Sequence, residues 1–333
     1  MTHLLKPIQI ANLECTNRLV MPPMATAKAT ANGQVSDELI QYYHEKTEGG
    51  YISIVIIEHA FITKEGKASN HQISVADESD IKGLATLAET IKQNGSKAIM
   101  QINHAGSAAD ETVTESSPVG PSVVVHPWKG SIPVELTKVE IAAIVRAFGE
   151  AAGRVKAAGF DGVEIHSAHG YFLNQFFSPL TNKRTDVYGG DVNNRIRVHL
   201  EVIEAVHRAV GRDFPVFLRL GASDYTDGGT TVEDSQIAAA AFEQAGVDLI
   251  DISGGFCGYT LKGISEQGYF SALSEAVKKA VTIPVLLTGG INDALAAENL
   301  LSLGKADLIG VGRAILNDSE WAKNAIESLM QKH

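Results

Sequence analysis

Eight short apolar runs recur along this chain, and the runs alternate with stretches of helical character. The runs are RLVMPP (18–23), YISIVIIE (51–58), KAIMQIN (97–103), GVEIHSA (162–168), VFLRLGA (216–222), VDLIDIS (247–253), PVLLTGG (284–290) and ADLIGVG (306–312). Between Asp77 and Asn94, residues Ile81, Leu84, Leu87, Ala88 and Ile91 keep helical spacing. Ile196, Leu200, Ile203 and Val210 do the same between Asn193 and Val210. Sequential strand–helix alternation requires parallel strands joined by right-handed crossovers. Eight such units, with no break where a second domain could start, predict a closed (β/α)8 TIM barrel rather than an open doubly wound sheet. Residues 1–333 are thus expected to form one domain. QIANLECTNRL (9–19) reads as an N-terminal β-hairpin that plugs the barrel bottom. The segment 105–135, with Pro118, Pro121, Pro127 and Pro133, reads as an excursion inserted after strand 3.

Composition narrows the partners. The net charge is −11, from 28 Lys+Arg against 39 Asp+Glu, and no basic run occurs. Nucleic acid and anionic membrane surfaces are therefore not expected partners. No run approaches the roughly 18 uninterrupted apolar residues of a membrane span. The N-terminal MTHLLKPIQI lacks the charged start and apolar stretch of a secretory signal, so a cytoplasmic location is expected. Cys15 and Cys257 lie far apart and form no CxxC, which indicates neither a disulfide framework nor an iron–sulfur cluster.

In barrels of this kind the reactive groups gather at the C-terminal ends of the strands. Here those ends carry Pro22-Pro23-Met24, Glu58-His59, Gln101 to His104, His166 to His169, Arg219, Ser253-Gly254-Gly255, Gly289-Gly290 and Gly312-Arg313. Strands 7 and 8 finish in TGGI (288–291) and VGRAI (311–315), each opening a helix. Glycines there let backbone N–H groups approach a phosphate, and a helix N-terminus adds a favourable dipole. One Gly-Gly turn would be an ordinary strand–helix connection. Two adjacent glycine turns with an arginine predict a phosphate site at Gly290, Gly312 and Arg313. Neither GxGxxG nor GxxxxGK[ST] occurs, so a nicotinamide would enter as a transient substrate rather than sit on a dedicated domain.

The fourth strand ends in VEIHSAHGY (163–171). An HxxH pair suits a divalent metal, and a single buried histidine on a strand is most often structural. The metal reading lacks a third ligand at a characteristic spacing, such as HExxH. Arg219 ends inside the barrel, where burial without a partner is costly, so a carboxylate or a bound anion must lie beside it.

EIHSAHGYFLNQFFSPLTNKRTDVYGGDVNNR (164–195) resembles the HxxHGY…SPxxNxRxDxYGG…NR signature of the old yellow enzyme family of flavin-dependent oxidoreductases. NRLVMPPM (17–24), GYISIVIIEHAFI (50–62), QINHAG (101–106), LRLGASDYTDGG (218–229) and GVGR (310–313) match that family in order, so the resemblance covers nearly the whole chain. It implies non-covalent FMN at the barrel mouth. Pro22, Pro23, Met24, Ala25 and His59 would line the isoalloxazine through backbone contacts. Gln101 would bond the pyrimidine edge, Arg219 would sit near N1 and O2, and Gly290, Gly312 and Arg313 would hold the phosphate. His166 and His169 would clamp the carbonyl oxygen of an activated alkene, and Tyr171 would donate a proton to its α-carbon. A phenol with a pKa of about 10 is protonated at neutral pH, as that role requires.

The implied cycle is ping-pong, with NADH or NADPH as reductant and a small enone, or a related activated alkene or quinone, as acceptor. Self-association into a homo-oligomer is compatible with the resemblance. Two other readings stand beside it: a metal-dependent barrel hydrolase using His166 and His169, and a non-catalytic flavin-binding protein.

The chain departs from the family at several points. Many relatives place Thr or Cys near flavin O4, where this chain has Ala25 followed by Thr26. A tyrosine of the bacterial thermophilic-like branch is Ala27 here, HAGR is HAGS ending at Ser107, and that branch's C-terminal arginine has no counterpart in ESLMQKH. Larger relatives add a cysteine-rich iron–sulfur segment and nucleotide-binding domains. This sequence shows neither, so electrons are expected directly from a free nicotinamide.

Overall fold

The structure, a computed structural model, describes residues 2–331. Met1, Lys332 and His333, which complete the range assigned to one domain and the C-terminal motif, lie outside the described residues. The eight expected strands are β1 (Leu19–Met21), β2 (Ile54–Phe61), β3 (Lys97–Asn103), β4 (Gly162–Ser167), β5 (Val216–Gly221), β6 (Leu249–Ser253), β7 (Val285–Thr288) and β8 (Leu308–Gly310). Each pairs parallel to the next in chain order. The barrel closes where Ile309 and Gly310 of β8 meet Leu19 and Val20 of β1. β1 stops before Pro22 because proline has no N–H for the ladder.

Helices α1 (Asp37–Thr47), α2 (Ile81–Gln93), α3 (Lys138–Ala157), α4 (Arg197–Val210), α5 (Val232–Ala245), α6 (Ser271–Lys278), α7 (Ala294–Ser302) and α8 (Trp321–Met330) surround it. Their starts are set by side chains. Ser36 accepts from Leu39 N, and the Thr137/Glu140 and Thr231/Asp234 pairs form reciprocal capping boxes. Two expected helices begin differently. The Asp77–Asn94 stretch opens with a 3-10 turn, Glu78–Asp80, ahead of α2. The Asn193–Val210 stretch breaks at Ile196 into Val192–Arg195 and α4.

α3 and α4 approach closely at Gly149, where a Cβ would lie 2.8 Å from the carbonyl oxygen of Ala205. Backbone cannot give way as a side chain can. Gly149→Val is therefore expected to cost roughly 1–3 kcal/mol through overpacking, read as a lower urea midpoint.

The hairpin forms as expected, Ile8–Ile10 against Leu13–Cys15. Its Ile10, Leu13 and Cys15 pack on Val20, Ile54, Ile56, Ile99, Phe217, Leu249, Leu286 and Leu308, sealing the N-terminal end of the barrel. Residues two apart on a strand share a face. One step further along those faces come Gln101 after Ile99, Arg219 after Phe217, Asp251 after Leu249 and Thr288 after Leu286. The inner lining thus changes from apolar to polar toward the C-terminal mouth. The 105–135 excursion carries a short helix, Glu111–Thr114, and the pairing of Val119–Gly120 with Val134–Glu135. No helix among the described residues is long and apolar enough to cross a membrane.

Candidate active site at the barrel mouth

β2 is irregular where it matters most. Its register with β3 shifts between Ile57 and Ala60, which leaves Glu58 and His59 in a bulge. Glu58 accepts from Thr26 N at 2.5 Å and from Thr26 Oγ1 at 3.1 Å, while its own N–H donates to the Tyr43 hydroxyl. Thr26, the residue next to the Ala25 position, thus gives its hydroxyl to a buried carboxyl. The His59 ring lies 6.1 Å from that of His166 and 5.2 Å from that of Tyr171. Gln72, which the sequence did not single out, donates to His59 Nδ1 and to the His59 carbonyl.

Burial pushes the Glu58 carboxyl up to about 7 from 4.5, against the opposing pull of the Thr26 hydrogen bonds and Lys28. A carboxyl raised on folding stabilises most below its unfolded value, and that contribution is lost as pH rises through the folded one. Glu58→Gln should flatten this dependence. Relative to wild type it should gain up to about 3 kcal/mol between pH 4.5 and 8, measured as the difference in urea stability across that range.

At the end of β4, His166 and His169 stand with ring centroids 5.2 Å apart, and Tyr171 is 5.2 Å from His166. His169 adopts φ +57, an uncommon backbone for a non-glycine residue. It is held by its N–H on the Gly254 carbonyl and by Nε2 against Ser253 Oγ at 2.7 Å. His166 Nδ1 is buried and has no protein partner. Burial first, then Arg219 and the neighbouring histidines, holds both imidazoles well below their ordinary value, so both rings are neutral. Burial, with Tyr259 nearby, pushes the Tyr171 phenol up to about 12, so it keeps its proton.

Beneath this cluster lies a charged floor. Arg219 Nε is 3.2 Å from Asp251 Oδ2, and Thr288 Oγ1 donates to Asp251 Oδ1 at 3.1 Å. Gln101 Nε2 donates to Glu164 Oε1 at 2.7 Å. Arg219 therefore has the carboxylate that its burial demands, although Nε and Oδ2 are not aligned for a hydrogen bond. Asp251 is pushed up to about 6 by burial against the pull of Arg219, and Glu164 is held well above the usual range by burial and by Asp251. Neither carboxyl was anticipated. The signal available was the period of two along β4 and β6, next to an arginine that needed a partner.

At the ends of β7 and β8, a Cβ on Gly290 (φ +68) would lie 2.4 Å from the Tyr269 ring, and one on Gly312 would lie 2.6 Å from Met24 Sδ. The left-handed φ of Gly290 favours glycine there, a Cβ at Gly312 would have to displace the Met24 side chain, and Met24 brings the β1 end against the β8 end. Arg313 opens the short helix Arg313–Asn317, is exposed, and has Nη2 3.4 Å from the Tyr269 hydroxyl. That hydroxyl donates to the Tyr259 carbonyl at 2.6 Å. Tyr269 is a second unforeseen neighbour of the glycine turns.

Pro22, Pro23, Met24 and Ala25 run along the mouth between these turns and β2, with Ala25 exposed. The donor set suits a flavin nucleotide. Glycine turns and Arg313 stand at one end, and Gln101 and Arg219 lie in the floor. The buried His166 Nδ1 and Asn103 Oδ1, neither with a hydrogen-bond partner, lie close by. Among the described residues no group of three or more His, Cys, Asp or Glu side chains is arranged to hold a metal ion.

Residues 3–332 match the model of the NADH:flavin oxidoreductase / NADH oxidase family. The chain is 41% identical to an NADH oxidase of Thermoanaerobacter brockii over 336 residues, covering 98% of this chain and 52% of that protein. It is 39% identical to a metal reductase of Desulforamulus reducens over 329 residues, covering 98% of this chain and 49% of that one. An NADPH dehydrogenase of Clostridium acetobutylicum is 37% identical over 310 residues, covering 93% of this chain and 90% of that one. The chain thus spans about half the length of the first two relatives and most of the third. Among solved structures, a 2-naphthoyl-CoA reductase in complex with 2-naphthoyl-CoA superposes with a TM-score of 0.92 at 29% identity, over 98% of this chain and 52% of that one. An old yellow enzyme homologue from Zymomonas mobilis shares the fold, with a TM-score of 0.85 at 23% identity, over 98% of this chain and 92% of that one. This chain belongs to the NADH:flavin oxidoreductase / NADH oxidase family.

Proposed function

We propose that this barrel, working as a single domain, binds FMN non-covalently at its mouth and uses NADH or NADPH to reduce the C=C bond of α,β-unsaturated carbonyl compounds. The observation that carries this reading is the buried, partnerless His166 Nδ1 beside His169 and Tyr171. A neutral imidazole pair and a protonated phenol form a donor set for one carbonyl oxygen and one carbon. FMN, when bound, would supply the hydride chemistry, taking two electrons from NAD(P)H and passing them to an electron-poor carbon. The nicotinamide and the enone take turns at one site, which makes the cycle ping-pong.

The chain's own residues do the rest. Gly290, Gly312 and Arg313 would hold the phosphate, and Pro22 to Ala25 with His59 would border the ring system. Gln101 and Arg219 would meet its pyrimidine edge. His166 and His169 polarise the enone carbonyl and stabilise the negative charge that gathers on its oxygen as hydride reaches the β-carbon. Tyr171 then transfers its phenolic proton to the α-carbon. The net change is one hydride and one proton added across the double bond, with NAD(P)H oxidised to NAD(P)+. The names of the NADH oxidase and NADPH dehydrogenase relatives support both nicotinamides as reductants.

The test is anaerobic. NADH or NADPH should bleach the yellow protein, and 2-cyclohexenone should restore its colour with formation of cyclohexanone. Flavin that bleaches but is not reoxidised by the enone would end the proposal for this substrate class.

A further inference from the structure

We propose that Asp251 is a positioning residue that sets the reduction potential of the bound flavin, by holding Arg219 against the barrel wall and cancelling part of its charge. The inference rests on the FMN reading above and adds to it a residue that this reading does not use. Arg219 and Asp251 are register partners on β5 and β6, both on inward faces, and Asp251 is fully buried. Thr288, on β7, donates to the far oxygen of Asp251, so the carboxylate is gripped from both sides. On the other flank, His166 of β4 is the register partner of Arg219, and Glu164 lies two residues earlier on the same strand. One guanidinium thus stands between two buried carboxyls.

The two carboxyls do not act alike. Two buried negative charges beside one positive charge oppose each other, and one of them is relieved by keeping its proton. Glu164, whose Oε2 has no partner and whose Oε1 receives only the Gln101 amide, is the one held protonated. Asp251 has both the guanidinium and the Thr288 hydroxyl to favour its charged form. The floor therefore carries one positive and one negative charge, where Arg219 alone would carry a net +1. In a buried site such charges are weakly screened. A flavin bound over this floor would gain one negative charge on two-electron reduction. Arg219 favours that state and Asp251 disfavours it, so Asp251 keeps the potential lower and the bound flavin a stronger hydride donor.

The test uses the purified FMN-loaded protein, equilibrated anaerobically with a reference dye of known potential. Asp251→Asn keeps the size of the side chain and the Thr288 hydrogen bond but removes the charge. It should shift the two-electron equilibrium about 10- to 100-fold toward the reduced form, roughly 30–60 mV upward. Glu164→Gln replaces a neutral group by a neutral group and should shift it less than about threefold, a change of under ~15 mV. Thr288→Val withdraws the hydrogen bond that favours the charged carboxylate. It should shift the equilibrium in the same direction as Asp251→Asn, by less.

An Asp251→Asn protein that holds FMN with the wild-type potential overturns the proposal and leaves the FMN reading intact. Should Asp251→Asn not fold or not hold FMN, Thr288→Val decides. A rise in potential supports the proposal, and an unchanged potential overturns it. Wild-type protein that takes up no FMN overturns both.

Discussion

Replacing His166 and His169 together with alanine is expected to lower kcat/KM for 2-cyclohexenone by about 10³–10⁴. Each donor to a developing oxyanion is typically worth about 10²–10³. Two donors on one oxygen act as a unit, so the double loss falls short of the product of the single losses. The pair lines the mouth above the Arg219 floor, and its nearest ring contacts are His59, Tyr171 and Tyr259. FMN content, read from the visible spectrum, should survive in both single variants, while binding of a phenol weakens. Loss of FMN in both would make the pair a cofactor support and end its role as a clamp. Since burial and Arg219 keep both rings neutral far below the ordinary histidine range, the rate should also show no histidine titration between about pH 5 and 8. A fall in rate centred near pH 6.5 would contradict the neutral donor pair.

Arg219→Ala is expected to be the most damaging change to stability. It leaves Asp251 buried and without its cation, and breaking a buried ion pair from one side typically costs about 3–5 kcal/mol. The loss should depend on pH. The Asp251 carboxyl stands at about 6 even with the guanidinium beside it, because burial raises it from 3.8. Without Arg219 it rises further and takes a proton more readily. A carboxyl raised on folding costs nothing below its unfolded value and increasingly more as pH climbs toward the folded one. Urea denaturation of apoprotein should therefore show the full loss near pH 8 and a much smaller one near pH 5, with ligand binding kept out of the comparison. The double replacement Arg219→Met with Asp251→Asn should recover most of the stability at pH 8. A loss that is equal at both pH values, or that persists in the double variant, would show that Arg219 contributes by packing rather than by charge.

These expectations draw unequally on sequence and structure. The strands were legible because period and composition are local properties. A run such as VFLRLGA declares a strand by its own residues, and the hairpin QIANLECTNRL was visible for the same reason. The His166/His169/Tyr171 cluster was legible because all three side chains come from one strand end and the turn after it. Gly290, Gly312 and Arg313 followed from the requirement that strands 7 and 8 be neighbours in a closed barrel.

Elsewhere the reading fell short. The pairing of Thr26 with Glu58 depends on a bulge in β2, and a one-residue slip in register leaves no mark on composition. The packing of Tyr269 over Gly290 depends on how the 256–270 loop returns to the barrel. The break at Ile196 interrupts a stretch whose apolar spacing continues across it.

By itself, the sequence determined the barrel, its apolar lower half, the polar end of each strand and the chemical groups at the mouth, since these rest on residue type and short-range period. Only the tertiary structure decided which of those groups meet. Arg219 with Asp251, Gln101 with Glu164 and Thr288 with Asp251 are contacts between adjacent strands whose residues lie 32 to 63 positions apart. Their distances are set by the register between strands. That register follows from closing eight strands around one core, a constraint that no single segment of the chain contains.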